Sequence, residues 1–84
     1  AIVIDVRTAE EFAEGHLKNA INIPFEQIAI EINKLNITKD TPIVLYCRSG
    51  GRSGTAFNTL VSQKFTNSYN GGGLETLRQF DIAR

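Results

Sequence analysis

Short β-branched runs alternate along this chain with helical patterns of about ten residues, and that alternation limits the possible folds more than any other feature. AIVIDV (residues 1–6) is almost continuously apolar, as a strand covered on both faces by helices must be. TAEEFAE (8–14) opens with Thr8 and carries Glu11 three residues later, the pattern of a capping box, and Gly15 then ends that helix. AINI (20–23) reads as a second strand. Pro24 starts a helix in which Phe25, Ile28, Ile32 and Leu35 recur on one face. PIVLY (42–46) is a third buried strand, and the following helix places Ala56, Phe57, Leu60 and Val61 inward. TNSYN (66–70) is expected as a short fourth strand, Gly71 to Gly73 as a sharp bend, and LETLRQF (74–80) as a last helix with Leu74, Leu77 and Phe80 inward. The expected architecture is α/β: a small parallel sheet with helices on both faces.

Eighty-four residues suit one compact domain, residues 1–84. Nine Lys plus Arg balance nine Asp plus Glu, so no overall field draws the chain to nucleic acid or to an anionic membrane, and any anion site must be local. No apolar run approaches the about 18 residues of a spanning helix. The single cysteine has no second thiol to pair with and no His or Cys at metal-ligand spacing, so neither a disulfide nor a metal site is expected. A lone thiol suits a reducing compartment, and a cytoplasmic location is expected.

That cysteine stands in YCRSGGRS (46–53), where the third strand ends and a helix begins within about a turn. Ligands of open α/β sheets bind beyond the carboxyl ends of the strands. Gly50 and Gly51 let the backbone curl with its N–H groups inward, and the helix start adds positive potential. Such a loop holds anions and favours a thiolate at Cys47, with Arg48 and Arg52 acting in the same direction if they turn inward. A buried structural thiol has no use for a cationic, glycine-rich loop, which leaves Cys47 as a candidate nucleophile. His16 follows the helix-ending Gly15 and is expected in a structural role. Glu10, Glu11 and Glu14 read as a solvated helix face.

CRSGGRS after a hydrophobic strand, with IDVR (4–7) and EEFAEGHLKNAINIP (10–24) upstream and YNGGG (69–73) downstream, resembles the single-domain rhodaneses. The resemblance implies a rhodanese-like sheet with the active-site loop after a central strand, and a sulfurtransferase reaction. Cys47 takes sulfur from thiosulfate or a related small donor as a persulfide and passes it to cyanide or a thiol acceptor, which includes a protein thiol. Arg48, Ser49, Gly50, Gly51, Arg52 and Ser53 form the donor site, Arg52 being the candidate for the oxyanion end. Asp5 and Arg7 match the family's D-x-R and take supporting roles. No metal or organic cofactor is implied. The chain departs from the family pattern at its ends, beginning directly on the first strand, so truncation at the N-terminal edge of the sheet is expected.

Two other readings compete. A cysteine phosphatase or arsenate reductase also sets a thiolate in an arginine-closed loop, but its signature has one residue more between the two than the four found here between Cys47 and Arg52. A sulfur-relay or binding module of a larger protein keeps the same loop with a protein persulfide as donor. The chain lacks the Gly-Lys-Ser/Thr ending of a phosphate-binding nucleotide loop.

Overall fold

The computed structural model describes residues 1–75. Strands β1 (Ile2–Asp5), β2 (Ile21–Asn22), β3 (Ile43–Cys47) and β4 (Ser68–Gly73) form one parallel sheet in the order β2-β1-β3-β4. The two most apolar runs, β1 and β3, are central and pair in register from Ile2↔Ile43 to Asp5↔Tyr46. Side chains then alternate between the two faces. Ile4, Val6, Ile43, Leu45 and Cys47 join Ile28, Ile32, Ala56, Leu60 and Phe65 in one core, while Tyr46 joins Leu17, Ala20 and Leu74 in a second, with Val3 and Phe12 against it. Burying each Leu or Ile contributes about 1.5–3 kcal/mol. Both faces of the sheet are therefore closed by apolar packing, as the α/β reading expected.

Helix α1 (Ala9–Ala13) starts at the anticipated capping box: Thr8 Oγ1 accepts the Glu11 N–H at 3.2 Å, and Glu11 Oε1 accepts the Thr8 N–H at 3.0 Å. The helix expected from Pro24 to Leu35 is instead broken. A single α turn, α2 (Ile28–Glu31), lies between 3-10 turns at Phe25–Gln27 and Ile32–Leu35. Isoleucines at 28, 30 and 32 and asparagines at 33 and 36 are weak helix formers, and Asn36 closes the segment in the left-handed region at φ 56°. Ile28 and Ile32 are buried as expected, but Leu35, on the last residue before that reversal, stays 36 % exposed.

Helix α3 (Gly51–Ser62) buries Ser53, Ala56 and Leu60 along one stripe. Phe57 packs at its margin, whereas Val61, expected inward, is 50 % exposed, because it lies one residue round the helix from Leu60. The glycine run stays in the sheet rather than leaving it in a turn, although Gly72 takes a left-handed φ of 85° where the register shifts. Gly71 to Gly73 continue β4, and after a register shift Gly73 pairs with Cys47. A Cβ at Gly73 would stand 2.6 Å from the Arg48 carbonyl oxygen, so only glycine lets this strand run beside the cysteine loop. Of the last expected helix, Leu74 is buried; Leu77 and Phe80 lie outside the described residues. No helix among the described residues is long and apolar enough to cross a membrane.

Tyr46 links the faces to the loops. Its buried hydroxyl accepts the Leu17 N–H at 3.1 Å, and burial, with the Asp5 carboxylate adding to it, pushes its phenol up to about 12. Tyr46→Phe should cost about 1–2 kcal/mol by leaving the Leu17 N–H without an acceptor, read as a lower urea midpoint with an unchanged slope. Replacing Gly73 by Ala should cost about 1–3 kcal/mol in the same assay. Gly51→Ala, where an added Cβ meets nothing within 4 Å, serves as the neutral comparison.

Candidate active site

Cys47 is the last residue of β3 and is 1 % exposed. The chain then curls through Gly50, whose φ of 103° only glycine adopts without strain, and enters α3 at once. The Gly50 N–H donates to the Cys47 sulfur at 2.9 Å, and the thiol stands 3.6 Å from the Ser53 hydroxyl. Burial pushes this thiol up, but the backbone N–H groups of Ser53, Gly50 and Ser49 favour the thiolate, so the thiol is held below its ordinary value. The lowering was expected. Its cause is the backbone cup rather than the arginines.

Arg52 does not turn over the sulfur. Its guanidinium forms a two-point pair with Glu11 of α1, Nη1 to Oε1 at 2.7 Å and Nη2 to Oε2 at 3.0 Å. Glu11 is therefore not part of a solvated face, as its neighbours Glu10 and Glu14 are. Arg52, then the Thr8 N–H, holds its carboxyl down at about 2. In the sequence the capping box gave Glu11 a local role at the start of α1 and did not announce this partner. Arg48 is exposed and makes no ion pair among the described residues. Ser49 is exposed on the rim, Gly51 opens α3, and Ser53 is fully buried beneath the loop.

Asp5 and Arg7 form a buried ion pair at the end of β1. Arg7 Nη2 lies 2.6 Å from Asp5 Oδ2 and donates to the Gly15 carbonyl at 2.6 Å, and its Nε donates to both carboxylate oxygens at 3.0 Å. These bonds tie β1 to the turn after α1. Arg7 also lines a cavity of about 160 Å³ with Glu11, Glu14, Arg48, Leu74 and Glu75. The sulfur itself does not line it. His16 stacks on Phe12 with ring centroids 3.6 Å apart and places Nδ1 2.9 Å from the Phe12 carbonyl, a structural use of the ring. Asn70, which the strand pattern gave no reason to single out, accepts the Ser53 hydroxyl at 2.6 Å.

A thiol at a strand end, cupped by amides at a helix start, is the arrangement the resemblance implied, and comparison with known proteins shows the family. Residues 1–77 match the rhodanese-like domain. The chain belongs to that family. It is 34 % identical over 74 residues to the thiosulfate sulfurtransferase PspE of Escherichia coli strain K12, covering 88 % of this chain and 71 % of PspE. It is 35 % identical over 79 residues to the thiosulfate sulfurtransferase GlpE of Pseudomonas putida strain GB-1, covering 93 % and 70 %. An uncharacterized Bacillus subtilis protein, YqhL, is 43 % identical over 70 residues, and there the match spans 83 % of this chain but only 54 % of the relative. Among solved structures, a rhodanese with anions from E. coli superposes with a TM-score of 0.84 at 34 % identity, covering 88 % of this chain and 87 % of that one. The human single-domain sulfurtransferase TSTD1 superposes with a TM-score of 0.78 at 26 % identity, covering 94 % and 82 %. The kinship of this rhodanese-like domain is with rhodanese-type sulfurtransferases.

The Glu11 to Arg52 pair makes a pH prediction. Because the folded carboxyl sits at about 2 against an ordinary 4.5, its pairing supports the fold fully above pH 4.5 and is lost as pH falls through 2. Glu11→Gln should lower stability at neutral pH by about 1 kcal/mol, discounted for its partial exposure. The gap from the parent protein should close between pH 4.5 and 2, followed by urea midpoints across that range.

Proposed function

We propose that this protein is a sulfurtransferase that carries sulfur on Cys47 as a persulfide. The observation that carries the reading is the Gly50 N–H directed at a sulfur which the surrounding amides already favour as thiolate. The thiolate attacks the outer sulfur of thiosulfate, forming a new S–S bond. The old one breaks, and sulfite leaves with its electron pair. An acceptor then attacks the outer sulfur of the persulfide, cyanide leaving as thiocyanate or a thiolate as its persulfide, and the Cys47 thiolate is restored. The same N–H groups face the attacking thiolate, the donor and the persulfide anion, so no donor has to reorganise between steps.

In this reading the loop amides of residues 49–53 hold the donor, and Arg48, an exposed cation in no ion pair among the described residues, meets its oxyanion end. Arg52 shapes the mouth while Glu11 holds it, and reaches the donor by exchanging that carboxylate for the incoming anion. Asp5 and Arg7 support the loop from below. The donor is a small sulfur compound such as thiosulfate, the acceptor a thiol, and the cytoplasm is the compartment that suits a protein with one free cysteine. A relay reading, with another protein's persulfide as donor, uses the same chemistry. It is favoured where relatives are longer than the matched region, as YqhL is.

Incubation with thiosulfate should add one sulfur atom to the intact protein by mass spectrometry, and Cys47→Ala should take up none. A persulfidated protein that loads Cys47 quickly where thiosulfate loads it poorly would select the relay. Phosphate release from an aryl phosphate without sulfur uptake would overturn the assignment.

A further inference from the structure

Ser53 lies fully buried between the cysteine and the edge strand, and its hydroxyl has a single proton to give. Three groups stand within reach of it: Asn70 Oδ1 at 2.6 Å, the Gly50 carbonyl at 3.1 Å and the Cys47 sulfur at 3.6 Å. The orientation of the Asn70 carboxamide is set independently. The Gly72 N–H donates to the same Oδ1 at 3.0 Å, so the oxygen faces Ser53, and Nδ2 lies over Gly54, 3.5 Å from where a Cβ would stand.

The Gly72 N–H identifies this atom as the carboxamide oxygen, which can only accept, so Ser53 is the donor in the bond to Asn70. With its proton there, the hydroxyl presents lone pairs to the sulfur. Lone pairs stabilise an S–H and oppose an S⁻. An ionised sulfur needs that proton turned toward itself, a charge-assisted bond that competes with the short neutral one to Asn70. We propose that Asn70 is a positioning residue that acts through Ser53, holding its hydroxyl proton away from Cys47 and so restraining the ionisation of the nucleophile. The inference rests on Cys47 being the reactive thiol proposed above, but the competition itself is read without any sulfur transfer.

Among the described residues the charged groups at this end of the sheet are Arg48 in the loop, Arg52 of α3 with Glu11 of α1, Glu14 after α1, Glu75 after β4, and the Asp5–Arg7 pair at β1; Tyr46 is turned to the opposite core. None is altered in the test. Asn70 lies on the exposed edge strand, so its replacement spares both cores. The rate of alkylation of Cys47 by iodoacetamide is measured against pH in the parent protein, Asn70→Ala, Ser53→Ala and the double variant. Asn70→Ala should move the midpoint down by about one pH unit, a tenfold gain in thiolate below it, and should move nothing when Ser53 is already Ala. An unchanged or raised midpoint in Asn70→Ala, or the same fall in the Ser53→Ala background, overturns the proposal. If Asn70→Ala does not fold, the isosteric Asn70→Asp is read instead. It should raise the midpoint more with Ser53 present than without it, and equal rises overturn the proposal. Failure of thiosulfate to load Cys47 while these midpoints behave as stated would sink the sulfur-transfer reading and leave this one standing.

Discussion

The convergence of backbone N–H groups on the Cys47 sulfur is the interaction on which the site depends. It costs the chain a left-handed glycine at position 50 and a buried thiol, and neither is tolerable without the other elements around them. β3 brings the sulfur to the floor of the loop, α3 begins where the curl ends, and the glycine at 73 lets β4 lie against the Arg48 carbonyl. The loop is thus walled by main chain on both sides. Amides fixed in this way stabilise an anion with little reorganisation, unlike water or a flexible lysine.

Charge around the cup is arranged in pairs. Asp5 with Arg7 is buried, and Arg52 with Glu11 is partly so, whereas Arg48, next in sequence to Cys47, is exposed and in no ion pair among the described residues. A buried pair of this kind contributes little net stability, because desolvation offsets attraction, yet losing one partner strands the other. Its value here is geometric. Arg7 reaches the Gly15 carbonyl and so fixes the turn that leads from α1 to Leu17, whose N–H is taken by Tyr46.

Much of this was legible in the sequence, for reasons that can be named. Strands covered on both faces must be continuously apolar, so AIVIDV and PIVLY announced themselves, and the Thr8 to Glu11 spacing announced α1. The cysteine loop was legible because a purely structural thiol does not need glycines and arginines beside it. The partner of Arg52 was not legible, since Glu11 stands 41 residues away and meets it only once the sheet is assembled. Nor was the path of Gly71 to Gly73, which reads locally as a bend and is kept in the sheet by pairing with β3 across a register shift. The isoleucine-rich segment after Pro24 showed a helical period, but β-branching at 28, 30 and 32 broke it into shorter turns and left Ile30 67 % exposed. Asn70 offered no pattern at all; its meaning comes from lying opposite Leu45, two residues from Cys47.

Helix α1 is five residues long and buries none of them completely. A segment that short has almost no intrinsic stability, so its attachments are the capping box, the contact of Phe12 with the second core, and the grip of Glu11 on Arg52. It belongs to the least protected layer of the molecule, where amide protons exchange by local fraying long before the sheet opens. The rim of the cysteine loop is therefore its softest wall, while the floor is as rigid as the fold itself.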